Sequence, residues 1–373
     1  MWLAATGLVG SRSTTSETPG WVRFENGRIT EIGAGGAPRG SESLGDVVLA
    51  PGFVDVQING IDELDFGAVD AAGATSALER ITDGGCTSCC PTLVTGPDAA
   101  YGPRLDAIAG TRHVRGADTR CAVIGVHLEG PFIGGAPGAH PLEHVRPVDL
   151  TQLQSWVGRH RDLVRIVTIA PEADPEFAAT RWLANHGVVV AIGHTAADYD
   201  TVVAMIDAGA SLVTHLFNGM SGLHHRAPGA VGAALHDERV TASLIADGVH
   251  VHPAVIAIAA AAKTAIALVT DAVAARAGHA GGVRLHESAD GAARLADGTL
   301  AGSTLTMDGA VRNCVRAGIA LDRALAMATS IPAAAVGATD RGRLEPGLRA
   351  DLVALDRATL AIEGVWIAGT RVR

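Results

Sequence analysis

The chain has 373 residues, 48% of them hydrophobic and 18% charged, which supports a large packed core and excludes a disordered polypeptide. Acidic residues outnumber basic ones 39 to 29, a net charge of −10. No global attraction to nucleic acid or an anionic membrane therefore operates, and an anionic ligand would need a local basic pocket.

The N-terminus, Met1-Trp2-Leu3-Ala4-Ala5-Thr6-Gly7, has neither the basic region nor the sustained apolar run of a signal peptide. The longest strictly apolar stretch, 254–262, is nine residues, about half of the roughly 20 needed to span a bilayer. A cytoplasmic location is expected. Segment 10–20 reads as a loop between two N-terminal strands, and 22–32 as a hairpin turning at Asn26-Gly27. Then follow eight short β-branched runs, at 47–56, 87–94, 122–128, 164–170, 187–192, 211–214, 241–246 and 266–270. Each leads into polar residues and an Ala-rich helical stretch. Such alternation predicts an α/β fold with a parallel sheet covered on both faces, and eight units over about 250 residues point to a closed (β/α)₈ barrel, with an open doubly wound sheet as the alternative. Segments 350–356 and 364–372 read as strands that join the N-terminal hairpin in a small β-sandwich. The expected division is 1–49 and 336–373 for the sandwich, and 50–335 for the barrel.

Five cysteines, three of them at Cys86, Cys89 and Cys90, make a poor disulfide framework and read as reduced core thiols. Regular strand alternation would point Cys89 away from Cys86 and Cys90, which argues against a CxxC site.

In a barrel the active site lies at the C-terminal ends of the strands. There the sequence offers Gln57 and Asn59 after the first run, Glu129 after the third, His194 after the fifth and His215 after the sixth. Asp247 and His250 follow the seventh, and Asp271 the eighth. Glu129, His194 and His215 form a three-ligand set suited to one divalent ion with an open position for water. Asp271 alone could be a helix cap, but its place at the end of the last strand favours catalysis.

These motifs have a recognisable relative. The segments Pro51-Gly52-Phe53-Val54-Asp55, His127-Leu128-Glu129-Gly130-Pro131, Gly193-His194-Thr195, His215-Leu216-Phe217-Asn218-Gly219-Met220, Asp247-Gly248-Val249-His250 and Thr270-Asp271-Ala272 resemble those of the N-acetylglucosamine-6-phosphate deacetylases of the amidohydrolase superfamily. The resemblance runs through Gly302-Ser303-Thr304-Leu305-Thr306-Met307 and covers essentially the whole chain. It implies Glu129, His194 and His215 as metal ligands, Asp271 as the general base and acid, and His140 as a contact to the acyl group. It implies Asn218, Gly219, Arg226 and His250 as holders of the sugar phosphate, with Gln57, Asn59 and Met307 completing the substrate-binding set. Arg226 would reach into a neighbouring subunit's site, so a homodimer is implied.

The expected reaction is removal of acetate from N-acetyl-D-glucosamine 6-phosphate with one divalent metal ion per subunit, Zn²⁺ first and Fe²⁺ second. Alternatives are another N-acyl amino sugar such as N-acetylgalactosamine 6-phosphate, hydrolysis of a cyclic amide, or a non-catalytic sugar-phosphate-binding barrel. No nucleic acid or membrane partner is expected. His252 reads as structural. The single lysine, Lys263, precedes the eighth run, which rules out a carboxylated-lysine bridge between two metals. Two departures from the pattern matter. Asp62, Glu63 and Asp65 add acid close to the expected substrate entrance, and the 132–139 loop is one residue short and lacks basic residues.

Overall fold

The structure is a computed structural model that describes residues 1–11, 14–112, 119–280, 283–288 and 292–373. Eight parallel strands run in sequence order around one sheet: Phe53–Ile58, Cys86–Val94, Val126–Glu129, Val164–Ile169, Val189–Ile192, Leu212–Val213, Thr241–Ile245 and Ile266–Val269. They are buried almost throughout, as continuous apolar runs in a sheet covered on both faces must be. Helices alternate with most of them. Ala71–Asp83, Leu150–Arg159 and Tyr199–Asp207 each start at an aspartate, Asp70, Asp149 or Asp198, whose carboxylate accepts a backbone N–H of the first turn. Leu78 and Leu153 on two of these helices, and Leu105, Leu183 and Ile256 on helices Asp98–Thr111, Ala178–Asn185 and Pro253–Ala262, pack onto the barrel, each burial contributing about 1.5–3 kcal/mol.

The first and eighth strands close the barrel differently from the rest. Among the described residues they share no continuous ladder. The Asp271 N–H donates to the Gln57 carbonyl at 2.9 Å, and the Asp55 side chain bonds to Thr270 beside it.

Both chain ends build the second unit. One sheet has the order Arg28–Ala34, Gly20–Glu25, Trp2–Ala5, Glu42–Ser43, and the other Gly7–Leu8, Val47–Pro51, Leu352–Asp356, Ile362–Ile367, Thr370–Arg371. Leu3, Val22, Phe24, Leu49, Leu352 and Trp366 fill the space between them. The hairpin turn falls at Asn26-Gly27, where both residues have positive φ (50° and 76°), as a two-residue turn between twisted strands requires. The 10–20 segment connects strands Gly7–Leu8 and Gly20–Glu25, and its residues 12–13 lie outside the described residues.

Three local readings are corrected. The 47–56 run is two strands, one in each unit, broken at Gly52, where a Cβ would lie 2.2 Å from the Thr87 hydroxyl oxygen. The 122–128 run is likewise two, Ala122–Val123 and Val126–Glu129. A register shift between Cys86 and Ser88 breaks strand alternation, so Cys86 and Cys89 both reach Cys121, while Cys90 joins a separate cluster. All five cysteines are buried and free. After the eighth strand, the short strands Val283–Arg284, His286–Glu287, Ala292–Arg294 and Leu300–Ser303 form an insertion against the barrel mouth that sequence reasoning missed. Among the described residues no helix is long and apolar enough to cross a membrane.

Candidate metal centre and catalytic cavity

The strand ends meet in a cavity of about 330 Å³, lined by Asn59, Glu129, His140, His194, His215 and Asp271, with Asn218, Gly219 and His250 on its wall. Glu129 ends the third strand. His194 and His215 follow the fifth and sixth by two residues, at φ of 51° and 29°. Asp271 has φ 48°. Non-glycine residues in this left-handed region cost about 1–3 kcal/mol each, so the mouth of the barrel holds its site residues under backbone strain.

The three expected ligand atoms converge. His194 Nε2 and His215 Nε2 lie 3.0 and 2.9 Å from Glu129 Oε1 and 3.1 Å from each other. The other ring nitrogens fix the tautomers: His194 Nδ1 faces the Ala136 carbonyl and His215 Nδ1 the Asn218 carbonyl, both at 3.1 Å. A carbonyl can only accept, so each Nδ1 carries the hydrogen and each Nε2 of a neutral ring presents a lone pair. Two such lone pairs and a carboxylate oxygen within about 3 Å repel one another unless positive charge sits among them. Two imidazoles and a carboxylate fit a divalent cation of the Zn²⁺ or Fe²⁺ kind. The protein alone shows the same demand. Burial opposes charging His215, yet the hydrogen bond and charge of Glu129 carry its pKa up to about 9. Burial likewise works against ionising Glu129, but the two imidazoles hold it well below the ordinary carboxylate range.

Asp271 sits in a contrasting setting. Burial first, and then the charge of Glu129, push it up to about 6. Its Oδ1 accepts from Asn59 Nδ2 at 2.7 Å and Gln57 Nε2 at 3.2 Å, so the two amides serve the aspartate rather than the ligand cluster. Their carbonyl oxygens, Gln57 Oε1 and Asn59 Oδ1, are buried without a protein partner. His140 lies edge-on to His194, bonded to Thr95 through Nδ1 at 2.8 Å. Burial drives its pKa down to about 3, so the ring is neutral. The Asp247 carboxylate accepts from His250 Nδ1 at 2.6 Å and leaves Nε2 for the cavity.

Gly219 is dictated by space. It has φ 58°, and a Cβ there would approach His194 Nδ1 to 2.8 Å.

Two expected site residues lie elsewhere. Arg226 is exposed on the loop before helix Gly229–His236, its guanidinium against the His225 ring at 2.7 Å. Met307 is buried at the start of helix Met307–Arg316 and lines a second cavity with Asp55, Asp62, Arg80 and Thr270. The acidic stretch is paired within the protein. Asp62 pairs with Arg80 and Arg276, Glu63 with Arg80, and Asp65 accepts the Gly67 N–H in a turn, and none of the three is among the residues lining the main cavity. His252 caps helix Pro253–Ala262, and Lys263 donates to the Asp237 carbonyl at 2.9 Å, remote from the strand ends. Sequence reasoning missed the apolar wall of the cavity, made by Phe217, Val273, Leu285, Leu295 and Leu300. Only Phe217 lay inside a motif. The others belong to the eighth-strand exit and the insertion, whose short strands carry no periodic signal.

The amidohydrolase family profile matches residues 48–372. The chain is 39% identical over 339 residues to the N-acetylgalactosamine-6-phosphate deacetylase of Escherichia coli O157:H7, covering 86% of this chain and 87% of the relative. It is 38% identical over 350 residues to the N-acetylglucosamine-6-phosphate deacetylase of Bos taurus, covering 88% and 84%. Among solved structures it matches the N-acetyl-D-glucosamine-6-phosphate deacetylase of Mycobacterium smegmatis with a TM-score of 0.92 at 35% identity, over 100% of both chains. The chain belongs to the amidohydrolase family, in the group that includes the N-acetylglucosamine-6-phosphate deacetylases.

Proposed function

We propose that the protein hydrolyses the acetamide of N-acetyl-D-glucosamine 6-phosphate, giving D-glucosamine 6-phosphate and acetate. The observation that carries this reading is the convergence of three lone-pair donors, Glu129, His194 and His215, on one point of a cavity that Asp271 also lines. A divalent cation held there, Zn²⁺ or Fe²⁺, supplies Lewis acidity that lowers the pKa of water from 15.7 to about 7 and polarises an amide carbonyl.

The chain's own groups supply the rest. Asp271, ionised near neutral pH, accepts the proton of the attacking water at its carboxylate and returns it to the departing nitrogen, which turns a poor leaving group into a neutral amine. Asn59 and Gln57 hold the carboxylate in place through Oδ1. When the Thr95 hydroxyl donates to its Nδ1, neutral His140 keeps a proton on Nε2, a donor for the oxyanion that develops on the acetyl group.

The phosphate needs cations, yet the described lining of the cavity contains no Arg or Lys. His250 turns its Nε2 into the cavity. We take Arg226, on its exposed loop and in contact only with the neighbouring His225 side chain through its guanidinium, to provide the planar fork for the phosphate from a second subunit of a homodimer. Within this reading 50–335 is the functional unit, 1–49 and 336–373 are its structural support, and the protein works in the cytoplasm. Arg226→Ala is expected to raise KM about 10–100-fold for a phosphorylated substrate and leave free N-acetylglucosamine unaffected. Equal effects on both would remove Arg226 from the phosphate site.

The 39% identity to an N-acetylgalactosamine-6-phosphate deacetylase favours one second reading, the C4 epimer as substrate. Acetate release from a panel of N-acetylglucosamine 6-phosphate, N-acetylgalactosamine 6-phosphate and the two free sugars tests both. The expected order puts N-acetylglucosamine 6-phosphate first. A higher kcat/KM for the galactose epimer would select the second reading, and no acetate from any of them would leave a binding-only barrel.

A further inference from the structure

Asp55 is absent from the set of site residues expected above. It is fully buried in the first barrel strand, two residues before Gln57, and its carboxylate points along the seam where the barrel closes. Oδ1 accepts the backbone N–H groups of Gln57 (3.2 Å) and Thr270 (3.3 Å), and Oδ2 accepts the Thr270 hydroxyl at 2.5 Å. The Thr270 hydroxyl oxygen in turn accepts the Ala272 N–H at 3.2 Å. From the other side, Ser303 Oγ donates to the Thr270 carbonyl at 2.5 Å.

Between these contacts sits Asp271, with both of its own backbone groups held. Its N–H donates to the Gln57 carbonyl and its carbonyl accepts the Ser303 N–H, each at 2.9 Å. The neighbouring Gly302, at φ 91°, has no room for a side chain, since a Cβ would lie 2.8 Å from the Asp271 carbonyl oxygen. The seam thus lacks a regular ladder at the point where Asp271 adopts φ 48°. An unsupported backbone would relax out of that region.

We propose that Asp55, Thr270 and Ser303 form a clasp across the barrel seam, and that Asp55 is a positioning residue that aims the Asp271 carboxylate at the reacting atoms. The proposal rests on the reading of Asp271 as the base and acid of an amide hydrolysis, and it adds residues that touch neither substrate nor metal. It also gives a role to the Gly302-Ser303 pair, which the catalytic set leaves without one. Asp55 and Thr270 line the second cavity while Asp271 lines the first, so the clasp grips the eighth-strand exit from behind.

The test compares Thr270→Val, which keeps the shape and deletes the hydroxyl, with Thr270→Ser, which restores it. Asp55→Asn and Ser303→Ala are made in parallel. Thr270→Val is expected to lose kcat by about 10–100-fold, the scale of a misaimed reacting group, with KM changed less than about twofold and the bound metal per subunit unchanged. Thr270→Ser should recover most of the rate, and Ser303→Ala should fall between them. Amide hydrogen exchange supplies a readout that needs no turnover: the Asp271 and Ala272 amides should exchange faster in Thr270→Val than in Thr270→Ser, with the helices unaffected. Wild-type kcat in Thr270→Val, or a loss that tracks loss of metal, overturns the proposal. If Thr270→Val fails to fold, a wild-type kcat in Ser303→Ala together with unchanged exchange does the same. If the wild-type protein releases no acetate from any N-acetylhexosamine 6-phosphate, the functional reading fails, and the exchange result alone decides the clasp.

Discussion

Two carboxylates are among the described residues that line the cavity, one on each side of the barrel mouth, and their surroundings treat them in opposite ways. On the side of the third, fifth and sixth strands, Glu129 faces two imidazole nitrogens and is held strongly ionised. Across the cavity at the eighth strand, Asp271 receives only amide hydrogen bonds and feels the charge of Glu129, and it rises to about 6. The same functional group thus becomes a fixed anion for a cation on one side and a proton carrier poised near neutrality on the other. Environments that push two carboxylates apart assign their roles.

Three measurements separate the two environments. Asp271→Asn should lower kcat by about 10²–10⁴-fold, the usual worth of a general acid–base group, while metal analysis still finds the ion bound. Activity within tenfold of wild type would move the proton chemistry elsewhere. Glu129→Gln should do the reverse and act on the metal, weakening its binding by about 100-fold or more in a competition titration, since even groups that only orient a ligand are worth 10–100-fold. The smallest effect concerns pH. Asp271 works ionised, so kcat/KM should rise with pH through a limb and then level off. A bound cation offsets the charge of Glu129, so that limb falls at or below pH 6, with about a tenfold loss per unit beneath it. A limb above pH 7 would mean that a different group accepts the proton.

The contrast was partly legible in the amino-acid sequence. Glu129, His194, His215 and Asp271 each follow an apolar strand, and barrel topology brings strand ends together whatever the helices between them do. What the sequence hides is backbone. Aspartate and histidine enter the left-handed region more readily than most side chains, but residue type alone does not say that His194, His215 and Asp271 do so, because the surrounding bonds impose it. Strand irregularities are hidden for the same reason. The shift between Cys86 and Ser88 brings Cys86 to the side of Cys89 while Cys90 stays on the other, and the break at Gly52 divides one apolar run between two units. Long-range pairing decided the rest. Asp62 and Glu63 look like free acid near the entrance until Arg80 and Arg276 are found against them. Asp55, inside an apolar strand, looks like an anomaly until Thr270, 215 positions away, meets its carboxylate.

In the proposed reaction a cation held by Glu129, His194 and His215 works together with the Asp271 carboxylate in amide hydrolysis. The most direct measurement is acetate release from N-acetylglucosamine 6-phosphate by wild-type protein and Asp271→Asn, each stripped with a chelator and then reloaded with Zn²⁺ or Fe²⁺. Stripped wild-type protein should show no turnover and recover at about one ion per subunit, and reloaded Asp271→Asn should not recover despite equal metal content. Acetate release from the stripped wild-type protein, or full recovery in the Asp271→Asn variant, would contradict this mechanism.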